Sequence, residues 1–114
     1  MKKFIVLFRE PDGRTEEHSP EFERQHRQHW EEWFSQWRTS GKLAGGDALT
    51  LEGRLLTGNG NLVQNNIHRV GSEIIGGFLL LNATDLDEAT AITASCPIYE
   101  AGGYAELREF QHNF

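Results

Sequence analysis

The 114-residue chain carries one cysteine, Cys96, and three prolines, and its basic residues are few and scattered. A lone thiol cannot close an internal disulfide, which excludes the stapled scaffolds of small secreted proteins and is compatible with a reducing compartment; the cytoplasm is the expected location. Lysine and arginine total 11 against 17 aspartates and glutamates, a formal charge of −6. With no basic cluster, nucleic acid is not an expected partner, because affinity for phosphate backbones rests on concentrated positive charge. No stretch approaches the roughly 20 apolar residues that cross a bilayer, so no membrane association is expected. Lys2 and Lys3 precede an apolar run as in a secretory leader, but Phe4–Phe8 is too short for a leader core and Arg9-Glu10 closes it.

What is present is globular composition, 38% hydrophobic and 25% charged. This length supports one hydrophobic core and not two, so a single domain over residues 1–114 is expected, without internal boundary or repeat.

Phe4-Ile5-Val6-Leu7-Phe8 is apolar on both alternating faces, the pattern of a central strand covered on both sides, and Pro11-Asp12-Gly13 ends it with turn chemistry. Ser19 and Pro20 then suit a helix start, and Phe22, Trp30, Trp33 and Trp37 recur at helical spacing toward Gly41. Lys42–Leu51, with Gly45-Gly46 inside, predicts a strand with a bulge. Leu55-Leu56 and Leu62-Val63 flank Thr57–Asn61 as a hairpin, and Ile74–Leu81 predicts a second central strand. Thr84 or Asp85 can cap a second helix, with Glu88 placed for a capping box and Leu86, Ala89, Ile92 and Cys96 as its inner stripe; Pro97 ends it. Tyr104–Phe110 alternates as a last strand, with Ala105 and Leu107 on one face.

Two strand-helix-strand units in one short chain predict an α+β fold, a ferredoxin-like sandwich with an inserted hairpin and both helices on one face of an antiparallel sheet. The other face of central strands that are apolar on both sides needs a cover. A second copy packed sheet against sheet supplies one, so a homodimer is expected.

Five segments in order, His26–Trp33, Ser40–Gly46, Ile75–Phe78, Asp85–Ala89 and Cys96-Pro97, resemble the YCII-related (DGPF-type) domain family. The resemblance implies a dimeric α/β barrel with a cleft between sheet and helices. It also implies a histidine and aspartate pair, a role proposed in a largely uncharacterised family with at least one member active on a chlorinated aromatic ring. His26 matches the histidine that DGPF-type members place on the first helix, whereas shorter members place theirs nearer His29. The DGPF segment itself falls on Asn65-Asn66-Ile67-His68 and is replaced, the acid that shorter members place before proline falls on Cys96, and Glu73 matches a family acidic residue ahead of the glycine pair.

His26, centred by the helical wheel on the Trp33/Trp37 stripe, is the candidate proton-transfer residue, because imidazole titrates near neutrality; the bland alternative is a hydrogen-bonded core histidine. Asp47 and Glu73 are the candidate orienting acids, completing the catalytic set. His29, Trp30, Trp33, His68 and Cys96 are candidate ligand-binding residues, against the alternative that the indoles and the thiol fill the core. His26 and His29 lack companions at metal-binding spacing, and the glycine pairs lack a strand-to-helix phosphate loop, so neither metal nor cofactor is expected. Two functions remain open. One is a small enzyme doing histidine acid/base chemistry on a carbonyl, lactone or hydroxylated aromatic compound. The other is a non-catalytic small-molecule-binding or interaction module on the same fold.

Overall fold

The computed structural model describes residues 1–112. Strand β1 (Lys2–Glu10) lies between β5 (Ile74–Ala83) and β6 (Tyr104–Glu109), and β2 (Leu43–Ala48) pairs with the far side of β5. Every pairing is antiparallel, in the order β2-β5-β1-β6. Strands β3 (Leu55–Thr57) and β4 (Leu62–Gln64) make the inserted hairpin, which forms its own small sheet. Helices α1 (Pro20–Thr39) and α2 (Leu86–Ala94) complete the ferredoxin-like α+β arrangement.

Strand alternation sorts the residues of β1. Phe4, Val6 and Phe8 are buried in one core cluster with Trp33 of α1 and with Ala89 and Ile92 of α2, which puts both helices on the same face. Ile5 and Leu7 point to the other face, where the register pairs them with Leu80 and Phe78. These four side chains are half-buried, which accounts for the two-sided apolar pattern of both central strands.

The helix starts follow capping chemistry. Ser19 Oγ accepts from the Phe22 N–H at 3.1 Å and Pro20 opens α1, while Asp85 Oδ1 accepts from the Glu88 N–H at 2.9 Å to start α2. Glu88 reaches back to the Thr84 N–H at 2.8 Å and to Lys42 Nζ at 2.9 Å. The Thr84 hydrogen bond, seconded by Lys42, holds the Glu88 carboxyl below the usual carboxylate range.

Two details depart from the sequence pattern. Leu86 is 51% exposed, and Thr93 takes the inner-face position instead, made tolerable there by returning its hydroxyl to the Ala89 carbonyl at 2.8 Å. The helix also closes before Pro97, with the Ser95 and Cys96 N–H groups donating to the Ile92 and Thr93 carbonyls. Pro97 therefore opens a 3-10 turn, Pro97–Ala101, rather than ending α2. No helix among the described residues is long and apolar enough to cross a membrane.

Candidate functional site

Helix α1 crosses the sheet so that residues spaced by one turn, His26, Trp30, Phe34 and Arg38, form one wall of a cleft of about 650 Å³. The facing wall is built from Gly45-Gly46 of β2 and Gly76-Gly77 of β5. At Gly46, where φ is +140°, a Cβ would run into the Phe78 carbonyl and Leu79; at Gly76 it would collide with the Glu10 carboxylate.

Glu10 and Arg14 close one end. Arg14 Nε donates to both Glu10 oxygens at 3.1 Å, Nη1 to the Leu49 carbonyl at 2.6 Å and Nη2 to the Gly76 carbonyl at 2.7 Å. This guanidinium clamps three segments of chain and leaves little donor capacity for a ligand.

The imidazole of His26 lies on the cleft wall, 22% exposed, over the last turn before β6. Its Nδ1 is 2.8 Å from Glu100 Oε1, and His29 Nδ1 is 2.7 Å from the other oxygen, Oε2. Trp30 Nε1 lies 3.1 Å from His26 Nε2. An indole N–H can only donate, so His26 Nε2 accepts, and the ring is neutral with its proton on Nδ1, directed at Glu100. Burial pushes the Glu100 carboxyl upward, but the hydrogen bonds from His26 and His29 together outweigh it and hold the group below the ordinary carboxylate range. Below the imidazole, Phe22 stacks at 5.6 Å between centroids, and His18 stacks on Phe22 at 4.5 Å.

The arrangement is an imidazole with a defined tautomer and a carboxylate that fixes its orientation, beside a cleft walled by the Trp30/Phe34 pair stacked at 5.2 Å. Chemically, such a pair can take a proton at Nε2 while the carboxylate stabilises the imidazolium that results.

The other candidates are distributed more widely. His26 and Trp30 meet at the cleft, but the acid on His26 is Glu100; Asp47 and Glu73 lie elsewhere. Asp47 contributes to the β2 edge of the cleft, yet its register partner is Phe78, so alternation turns its side chain toward the Leu7/Phe78 face, and its Oδ1 accepts from the Ala48 N–H. Glu73 binds the Tyr104 hydroxyl at 2.8 Å and lines, with His68, a separate hollow of about 400 Å³. His29 touches the same carboxylate as His26 from outside the cleft. Trp33 is 5% exposed in the core, where its N–H donates to Ser95 Oγ at 2.9 Å. Cys96 is also core, 3% exposed, and burial pushes its thiol upward. Among the described residues no group of three or more His, Cys, Asp or Glu side chains is placed to hold a metal ion.

Sequence reasoning missed Glu100, Arg14 and Arg38. Arg38 was visible as the next member of the 26, 30, 34 series, and Glu100 as the first acid after Cys96-Pro97. Arg14 gave no signal, because its role depends on a left-handed backbone, φ 64°, that curls the loop back over the sheet.

Comparison with known proteins agrees with this architecture. No curated protein sequence matches the chain. A solved structure, 5-chloro-2-hydroxyhydroquinone dehydrochlorinase from Burkholderia phenoliruptrix in complex with 2,5-dihydroxybenzoquinone, has a similar fold: TM-score 0.53 at 13% identity, covering 98% of this chain and 99% of that one. The family model of the YCII-related domain matches residues 13–111, nearly the whole chain. The ferredoxin-like chain with its helix-and-sheet cleft thus belongs to the YCII-related domain family.

Proposed function

We propose that this chain is a small enzyme that moves a proton to or from a hydroxylated aromatic or carbonyl compound, with His26 as the proton-transfer group and Glu100 orienting it. The observation that carries this is the 2.8 Å contact between His26 Nδ1 and Glu100 at the wall of an aromatic-lined cleft. With Nδ1 committed to the carboxylate, Nε2 is the nitrogen that can exchange a proton. An arriving hydroxyl would displace the Trp30 N–H from Nε2 and pass its proton to that atom, and the carboxylate would hold the resulting imidazolium. A cleft of about 650 Å³ lies within the range of roughly 300–1,000 Å³ typical of small-molecule sites. The structural neighbour that acts on a chlorinated hydroxyhydroquinone supports drawing probes from hydroxylated rings and quinones.

A panel of such compounds, with lactones alongside, is the test. Wild-type protein is expected to turn over at least one, and His26→Gln to lower kcat by roughly 10²–10⁴-fold while keeping the fold, read by circular dichroism. Equal turnover by the variant would remove His26 from the chemistry.

One observation favours the second reading, a non-catalytic binding module: Trp30 already satisfies Nε2, so both His26 nitrogens are engaged as in a structural histidine. In that case no probe reacts and His26→Gln mainly lowers the melting temperature.

The working form we infer is a homodimer in which two sheets face each other as a dimeric α/β barrel. The half-buried face of Ile5, Leu7, Phe78 and Leu80 supports it. Sedimentation equilibrium should give the mass of two chains, and the mass of one chain would sink the dimer.

A further inference from the structure

We propose that the cleft takes its ligand as an anion, a single-ring aromatic carboxylate or phenolate whose charge is bound by Arg38. The proposal rests on the proton-transfer reading of the cleft and names the substrate class it serves.

The ionisable groups that border the cleft are Glu10, Arg14, His26, Arg38 and Asp47. Glu10 and Arg14 neutralise each other across 3.0 Å, and the remaining Arg14 donors go to backbone carbonyls. His26 is neutral, because its Nε2 accepts from Trp30. The Asp47 side chain belongs by register to the opposite face of the sheet. Arg38 is left as the cation of the cleft. Among the described residues no hydrogen bond or ion pair engages its guanidinium, although acids outnumber bases along the chain by 17 to 11. In so acidic a protein, a guanidinium left without a carboxylate at the mouth of a cleft offers its planar fork of donors to an incoming one.

Position fixes the rest. Arg38 follows Trp30 and Phe34 on the same face of α1, one turn apart, so a ring lying along the stacked Trp30/Phe34 pair can direct an anionic oxygen at the guanidinium. The wall opposite is formed by Gly45-Gly46 and Gly76-Gly77, whose backbone offers a face against which a flat ring can lie. Anion and ring are thus recognised by adjacent turns of one helix, and a neutral ring of the same shape would gain only the stacking.

The experiment is calorimetric titration at neutral pH with 2-hydroxybenzoate and with its neutral counterpart 2-hydroxybenzamide, against wild type, Arg38→Gln and Arg38→Lys. Wild type is expected to bind the acid roughly tenfold or more tightly than the amide, Arg38→Gln to bring the two together, and Arg38→Lys to keep only part of the difference, since it holds the charge without the fork. Equal affinities in wild type, an undiminished preference in Arg38→Gln, or no binding of either compound would each overturn the proposal. The titration needs no turnover, so the two ideas fail separately. Lost discrimination beside turnover that still depends on His26 removes the anion site alone. Discrimination retained without such turnover removes the proton-transfer reading alone.

Discussion

Glu100→Gln is expected to leave the chain folded and to lower turnover by roughly a hundredfold or more, because the defined tautomer of His26 depends on this carboxylate. In the wild type the carboxylate can only accept, so it holds the proton of His26 on Nδ1 and leaves Nε2 free of one. A carboxamide presents either an oxygen or an NH2 group. Facing Nδ1 with the NH2 group, it would reverse the tautomer; facing it with the oxygen, it would keep the geometry but lose the charge that stabilises the imidazolium. Either outcome weakens proton uptake at Nε2. The measurement is kcat for whichever probe the wild type turns over, with the melting temperature recorded beside it. Unchanged kcat would mean that Glu100 does no more than tie the turn to α1.

The same carboxyl carries a pH dependence. Its folded-state pKa is depressed, with burial opposing and the two histidine hydrogen bonds prevailing. Glu100 therefore adds stability that is present above the unfolded carboxylate value and is lost as pH falls through the lower folded value. Glu100→Gln should flatten this part of the acid limb of the stability curve.

Phe4→Ala has the largest expected effect on the fold. Phe4 is 0% exposed at the middle of the core, on β1 opposite Leu81, and the cluster around it joins the sheet to both helices. Removing a buried phenyl ring costs about 3–5 kcal/mol through lost burial and the cavity left behind. Domains of this size hold about 5–15 kcal/mol in total, so the variant should lose much of its margin. Urea unfolding followed by circular dichroism should show a midpoint well below that of wild type. A midpoint within error of wild type would show that the core collapses around the gap or is centred elsewhere.

Much of the fold was legible in the sequence because the decisive residues act locally. The alternation of Phe4, Val6 and Phe8, the Ser19-Pro20 start and the Asp85/Glu88 pair each specify an element through contacts a few residues away, and all are present in the structure. The bulge around Gly45 was readable for the same reason. Leu86 was misplaced because the inner stripe of a short helix depends on how its first turn meets the sheet, and Thr93 could enter the core only through a hydrogen bond that hydropathy does not record.

The site was legible on one side only. Helical spacing found His26 and Trp30, since both belong to one face of α1. It set His26 on the Trp33/Trp37 stripe, but those indoles turn into the core while His26 meets Phe22 and Trp30. The acid could not be found this way, because Glu100 reaches His26 across 74 positions of sequence through a 3-10 turn whose direction is set by tertiary packing. Asp47 was a candidate orienting acid, but strand register turns its side chain to the other face. Register of that kind is decided by a bulge elsewhere in the strand.

The role of His26 in proton transfer is tested most directly by a ¹⁵N NMR measurement of its ring nitrogens at neutral pH, assigned with His26→Gln and repeated on addition of a hydroxylated aromatic probe. The expected result is a proton on Nδ1 and none on Nε2, with the Nε2 and Trp30 indole signals both moving as the probe displaces the indole N–H. A ring protonated on Nε2, or one whose signals ignore every probe while His26→Gln lowers the melting temperature, would contradict it and make His26 a structural histidine.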